Sequence, residues 1–208
     1  MPLLKTVKNS LLLLLQGEWY EFYVRCLIAL GVIDLKTTTI KELDLSSERS
    51  HSYSDSGRGD LKRVLSALDI HNDDAIIDFG CGKGGALISF ADFPFAKIVG
   101  VEISPRLISV AKRNLNRLGI RGVEIFCGDA AHFVELDQFN HAYFFNPFPH
   151  QIMQSVIVNI EDSISKTERD FTIIYLNPEC HDIILRNGVF KKVGEFDLST
   201  LKLYIYRN

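Results

Sequence analysis

Cysteine is scarce and scattered in this chain. The four thiols, Cys26, Cys81, Cys127 and Cys180, form no C-x-x-C pair. Their spacing points to neither a zinc site nor a disulfide framework, so no metal is expected and a reducing, cytoplasmic setting is. Long apolar runs are missing as well. The run Leu11 to Leu15 is five residues, against the roughly 20 needed to span a bilayer. No small-residue cleavage site follows it, so the sequence predicts no membrane span and no signal peptide. Excess charge is also lacking. A formal net charge of −3 gives no general attraction to polyanions, and nucleic acid is not an expected partner. No internal repeat or low-complexity tract occurs. What remains is an ordinary globular composition, 47% apolar and 24% charged over 208 residues. That length suits one domain with a sizeable core and an N-terminal extension.

Against this background one stretch stands out, Ala75-Ile76-Ile77-Asp78-Phe79-Gly80-Cys81-Gly82-Lys83-Gly84-Gly85. It opens as a short apolar run, the signature of a buried parallel strand. It breaks into glycines and resumes as Ala86 to Ala91, a helical segment. Glycines at a strand-to-helix turn permit positive φ and let a ligand approach without meeting a Cβ. Gly80, Gly82 and Gly85 also fit the dinucleotide pattern G-x-G-x-x-G, a weak signal alone. Two acids separate the ligands. Asp78, two residues before the first glycine, repels a pyrophosphate but suits a cationic amino group. Glu102, after the apolar segment Ile98 to Val101, suits both hydroxyls of a ribose. An ammonium-bearing nucleoside meets both demands. A phosphate loop of the G-x-x-x-x-G-K-[ST] kind is absent, because Lys83 precedes Gly84.

The ordered segments Asp78 to Gly84, Val101-Glu102, Cys127-Gly128-Asp129-Ala130 and Phe144-Phe145-Asn146-Pro147-Phe148-Pro149 resemble the motifs of class I S-adenosylmethionine (SAM)-dependent methyltransferases, over roughly residues 75–150. The resemblance implies SAM as cofactor. Asp78 and the Gly80 and Gly82 backbone would hold the methionine end, and Glu102 the ribose. Ile103 would lie on the adenine face, Asp129 would bond its amino group, and Ala130 would offer a backbone N–H. Asn146-Pro147-Phe148-Pro149 resembles the Asn-Pro-Pro-Tyr motif of amino-methyltransferases, with its last two positions chemically reversed. It implies that Asn146 positions the acceptor and Phe148 contacts it.

Taken in order, Leu12, Leu15, Trp19, Phe22, Cys26 and Leu30 recur at helical spacing up to Gly31, an amphipathic helix serving as packing element, homodimer contact or lid. A polar stretch follows over 34–56, with Tyr53 as the aromatic that would close on a ligand. The expected division is therefore 1–56 as extension and 57–208 as the SAM-binding domain. Helices are predicted at 60–69, from Ser104-Pro105 to Gly119, at 130–136, 150–166 and 179–187. Strands are predicted at 75–79, 97–101, 123–126, 142–145, 171–176, 190–196 and 201–206. Alternating strands and helices imply a doubly wound, mostly parallel α/β sheet of Rossmann-like type, and the last two strands an antiparallel hairpin. Such sheets bind ligands beyond the carboxyl ends of their strands, where Asp78, Glu102, Asp129 and Asn146 all fall.

Methyl transfer to a hydroxyl also needs a base. His150 is the nearest candidate by motif, with His132 and His181 further off. Pro147 is expected to hold Asn146 extended. The leading expectation is methyl transfer to an oxygen or nitrogen on a small molecule or glycan-type metabolite. The alternatives are a protein lysine methyltransferase, a nicotinamide-dependent dehydrogenase and a non-catalytic SAM-binding protein.

Overall fold

The structure, a computed structural model, describes residues 19–38, 58–198 and 201–208. The early part of the predicted N-terminal helix and most of the polar stretch, Tyr53 included, lie outside the described residues. The helix is seen as α1, Trp19–Ala29, and Gly31 beyond it has φ 68°, the left-handed exit that glycine makes cheap. Helix α2 spans Arg58–Ser66 and leads into β1, Ala75–Phe79, every residue of which is buried.

From there strands and helices alternate as the apolar runs predict. Helix α3 is Gly85–Phe90, β2 is Lys97–Glu102 and α4 is Pro105–Arg117. Ser104 caps α4 by accepting the Leu107 N–H at 3.4 Å, with Pro105 opening the first turn. Strand β3 is Val123–Cys127 and β4 is His141–Phe145. Helix α5, His150–Lys166, precedes β5, Thr172–Leu176. Helix α6, His181–Leu185, leads to the closing pair β6, Lys191–Asp197, and β7, Lys202–Arg207.

The strands form one seven-stranded sheet in the order β3-β2-β1-β4-β5-β7-β6. The first five are parallel, and β7 enters antiparallel between β5 and β6. The period of two along each strand sorts the core into two layers. Ile77, Phe79, Ala142, Phe144 and Ile173 meet Met153, Val156, Ile157 and Ile160 of α5 on one face. Ile76, Ile98, Tyr143, Ile174 and Ile205 meet Val24 of α1, Leu61, Val64 and Leu65 of α2, and Leu87 of α3 on the other. Burying each such aliphatic side chain stabilises the fold by about 1.5–3 kcal/mol. Val24, Ile33 and Leu35 belong to this second cluster, so the described end of the N-terminal segment shares the core of the sheet. Among the described residues no helix is long and apolar enough to cross a membrane.

One predicted helix does not form. Over 130–136 only a 3-10 turn, Ala130–His132, is present. Phe133 beyond it is extended, with φ −80° and ψ 115°. Phe133, Leu136 and Phe139 are buried from an irregular segment. The guanidinium of Arg169 donates to the carbonyls of Phe139 at 2.7 Å and Leu136 at 3.0 Å. It supplies the partners that a helix would otherwise have to provide.

Candidate active site

Parallel register decides what meets at the carboxyl edge. Phe79 pairs with Val101 on one side and Phe144 on the other, while Glu102 pairs with Cys127. Gly80, Glu102, Cys127 and Phe145 therefore stand at one level at this edge. Asp78, Asp129 and Asn146 stand within two residues of it.

The glycine turn is held from below. The N–H groups of Gly80 and Cys81 both donate to the Val101 carbonyl, at 2.8 and 3.1 Å. Gly80, Gly82 and Gly84 have φ of 82°, 53° and 83°, a region costly to residues with a Cβ. Close approach adds a second demand at Gly80, where a Cβ would lie 2.4 Å from the Cβ of Pro147.

Two buried acids flank this turn. Glu102, 7% exposed, accepts the Gly82 N–H at 2.9 Å through Oε2 and the Ser104 N–H at 2.8 Å through Oε1. Burial raises its pKa, opposed by those backbone donors and that of Ile103. Each oxygen retains a lone pair. Asp78 is 3% exposed, and no hydrogen bond to its carboxyl occurs among the described residues. Burial first, and the nearby Glu102 second, push its pKa well above the usual carboxylate range. A buried acid without a positive partner is expensive unless something arrives to pair with it. Cys81 lies over Gly100, and its thiol is also pushed up, by burial and by Asp78 and Glu102. It stays a packed thiol.

The remaining expected residues take distinct positions. Ile103 follows β2, half-buried. Asp129 caps the 3-10 turn by accepting the Ala131 N–H at 3.0 Å and lies 3.6 Å from His132 Nδ1. Ala130 opens that turn, where a backbone N–H has no helical acceptor. Asn146 follows β4 half-buried, but not extended. Its φ is 38°, because the chain must turn there to seat Pro147 on Gly80, and Asn tolerates the left-handed region. Tyr175, on β5, donates its hydroxyl to Asn146 Oδ1 at 3.5 Å and accepts the Cys180 N–H at 3.3 Å. His150 opens α5 in an exposed position.

Phe148 departs from expectation. It is 5% exposed and lies edge-on to Phe144 with ring centroids 6.4 Å apart. The ring fills the core under α5, which leaves it no free face to stack on an acceptor.

Three residues that sequence reasoning passed over tie the N-terminal segment to the glycine turn. Lys83, 5% exposed, donates to Asp34 Oδ1 at 3.0 Å and to the Lys36 carbonyl at 2.8 Å. Asn114, fully buried on α4, accepts the Asp34 N–H at 3.0 Å and donates to the carbonyls of Asp34 at 2.9 Å and Lys83 at 3.1 Å. The signal was present: Asn114 adjoins the inner stripe of Ala111 and Leu115, and a polar side chain there requires partners.

The family model described as a methyltransferase domain matches residues 70–177, a little over half of the chain. A protein-lysine N-methyltransferase of Saccharolobus islandicus is 38% identical over 63 residues, 30% of this chain and 39% of that one. A protein-L-isoaspartate O-methyltransferase of Aeropyrum pernix is 33% identical over 84 residues, 39% of this chain and 32% of that one. The chain thus matches about two-fifths or less of the length of these curated relatives. Among solved structures, a SAM-dependent methyltransferase from Aquifex aeolicus superposes with TM-score 0.59 at 13% identity, covering 71% of this chain and 88% of that one. At that identity the likeness speaks for the fold.

Proposed function

Because the chain belongs to the methyltransferase-domain family, we propose that it transfers a methyl group from S-adenosylmethionine to an oxygen or nitrogen acceptor on a small molecule, glycan-type metabolites included. The observation that carries this reading is the carboxyl of Asp78, buried beside the glycine turn without a hydrogen-bond partner among the described residues. The ammonium of the cofactor's methionine end supplies the missing charge. A pyrophosphate there would meet repulsion from both Asp78 and Glu102, which disfavours a nicotinamide dehydrogenase. Glu102 takes the ribose hydroxyls with the lone pairs left over from Gly82 and Ser104. Ile103, Asp129 and Ala130 border the adenine.

When bound, the cofactor supplies a methyl group on a sulfonium already activated for displacement. The protein therefore mainly aligns the acceptor. Asn146 stands level with the glycine turn, and its side-chain oxygen accepts a hydrogen bond from an acceptor amine or hydroxyl. For a hydroxyl acceptor His150, exposed at the start of α5, takes the proton as general base. Tyr53, the aromatic of the polar stretch, is the proposed further contact on the acceptor side.

A protein lysine acceptor is the second reading, favoured by an open cavity of about 550 Å³ beyond the end of β5, bordered by Glu179 and Asp197. Lys202 on the same border already pairs with Asp197 at 3.3 Å, which leaves Glu179 as the acid for an approaching lysine. Methyl-labelled SAM incubated with protein and a fractionated cell extract tests both readings. Label in the small-molecule fraction supports the first, and label on protein lysines the second. SAM binding without transfer to either fraction would leave a non-catalytic SAM-binding protein.

A further inference from the structure

The amino edge of the sheet, opposite the glycine turn, carries a cavity of about 430 Å³ bordered by Asp69, His71, Asp74, His141, Asp170 and Arg207, among others. Its size falls in the range of small-molecule sites. Beneath it lies a polar chain whose protons can be assigned. Asn140 Nδ2 donates to Asp74 Oδ1, which fixes the orientation of the amide. Its Oδ1 accepts the Ala75 N–H at 2.9 Å and lies 3.0 Å from His141 Nδ1. An oxygen only accepts, so His141 Nδ1 carries the hydrogen and, in the neutral ring, Nε2 bears a lone pair. Burial first, with Arg207 adding to it against the pull of Asp74, lowers the pKa of His141 and keeps the ring neutral.

His141 is 7% exposed, and its Nε2 has no hydrogen-bond partner among the described residues. The ring thus offers the cavity that it borders an acceptor with no protein donor among the described residues. Around it stand three carboxylates, Asp69, Asp74 and Asp170, against the guanidinium of Arg207 and the imidazole of His71, which lies 3.4 Å from Asp69, while Asp74 accepts the His71 backbone N–H and the Asn140 amide. That balance of charge selects a positive donor.

We propose that this cavity is a second ligand site, separate from the methyl-transfer edge, that takes a small organic cation whose N–H group donates to His141 Nε2 while the carboxylates balance its charge. The proposal is independent of the methyl-transfer reading, since no residue of the glycine turn takes part.

The test is a ¹⁵N NMR titration of the histidine side chains of the full chain with 1,4-diaminobutane, and with inorganic phosphate as the anionic counterpart. In the free protein His141 should show the Nδ1–H form. Diaminobutane should shift its Nε2 resonance saturably and leave Nδ1–H in place. Phosphate should not. The Asp170→Asn variant, altered at an exposed position, should weaken the diaminobutane response several-fold while retaining the same Nδ1–H signature as a check on folding. An Nε2–H form in the free protein, a response that never saturates, an equal response in Asp170→Asn, or saturation by phosphate in place of the diamine would each overturn the proposal.

Discussion

Gly80 lies directly under Pro147: a Cβ added to the glycine would fall 2.4 Å from the proline Cβ. The turn after β1 and the turn after β4 are therefore packed against each other, and the cofactor edge and acceptor edge share a wall. Gly80→Ala must displace Pro147 and also place a Cβ at φ 82°. The expected cost is about 2–4 kcal/mol, overpacking plus left-handed strain. Chemical denaturation of the two proteins measures it, and a variant as stable as the parent contradicts the packing.

The Asp34–Lys83 pair gives a second expectation. Lys83 is nearly buried, while the Asp34 side chain is 46% exposed, so solvent screens part of the attraction. Asp34→Ala leaves a buried ammonium short of one partner and should destabilise the protein by roughly 1–3 kcal/mol. Lys83→Met removes that charge, so the double variant should lose clearly less than the sum of the two single losses. Additive losses in a double-mutant cycle would show the pair to be uncoupled.

Much of this fold was legible because its signals are local. The apolar runs marked β1 to β5, and the Ser104-Pro105 cap and Gly119 bracketed α4. Asp78 and Glu102 were legible through their order around the glycines. What escaped depends on partners distant in sequence. Arg169 holds 133–139 as irregular chain from 30 and 33 residues away. Asn114 reaches Asp34 across 80 residues. Phe148 read as a substrate contact from its motif, but the ring of Phe144 and the seat of α5 claim it for the core. Asn146 read as extended from the rule for residues before proline, which says nothing of what the proline packs against.

At the acceptor edge, Asn146→Ala should raise the barrier to methyl transfer by about 2–4 kcal/mol, the range for lost positioning and transition-state hydrogen bonds. SAM affinity should stay near normal. Single-turnover rates and equilibrium binding separate the two, and a parallel loss of affinity would move Asn146 to the cofactor.

His150→Gln asks a different question at an exposed position. With a hydroxyl acceptor the rate should fall and the pH dependence contributed by a general base should vanish. With an amine acceptor, able to supply its own neutral nucleophile, the pH–rate profile should match the parent. A parental profile with a hydroxyl acceptor would remove His150 as the base.

Asp78 should also mark the stability of the ligand-free protein. Its folded pKa is raised above the unfolded value, by burial and then by Glu102. Its contribution is therefore most favourable below the unfolded pKa of about 3.9 and is lost as pH rises through the folded value. Asp78→Asn removes that loss, so ligand-free Asp78→Asn should melt above the parent at neutral pH. The difference should shrink on acidification. A variant that melts below the parent at neutral pH would show that the carboxylate is already paired.

The most direct test of cofactor binding at the two acids is calorimetric titration of the parent, Asp78→Asn and Glu102→Ala with SAM and with NAD. The parent should bind SAM saturably and NAD not at all. Each folded variant should lose about 1.5–3 kcal/mol of SAM affinity, the value of hydrogen bonds to a charged group. Binding by the parent should release protons and weaken as pH falls, because Asp78 must ionise to meet the ammonium. Saturable binding of NAD in place of SAM, or undiminished SAM affinity in both folded variants, would contradict the account.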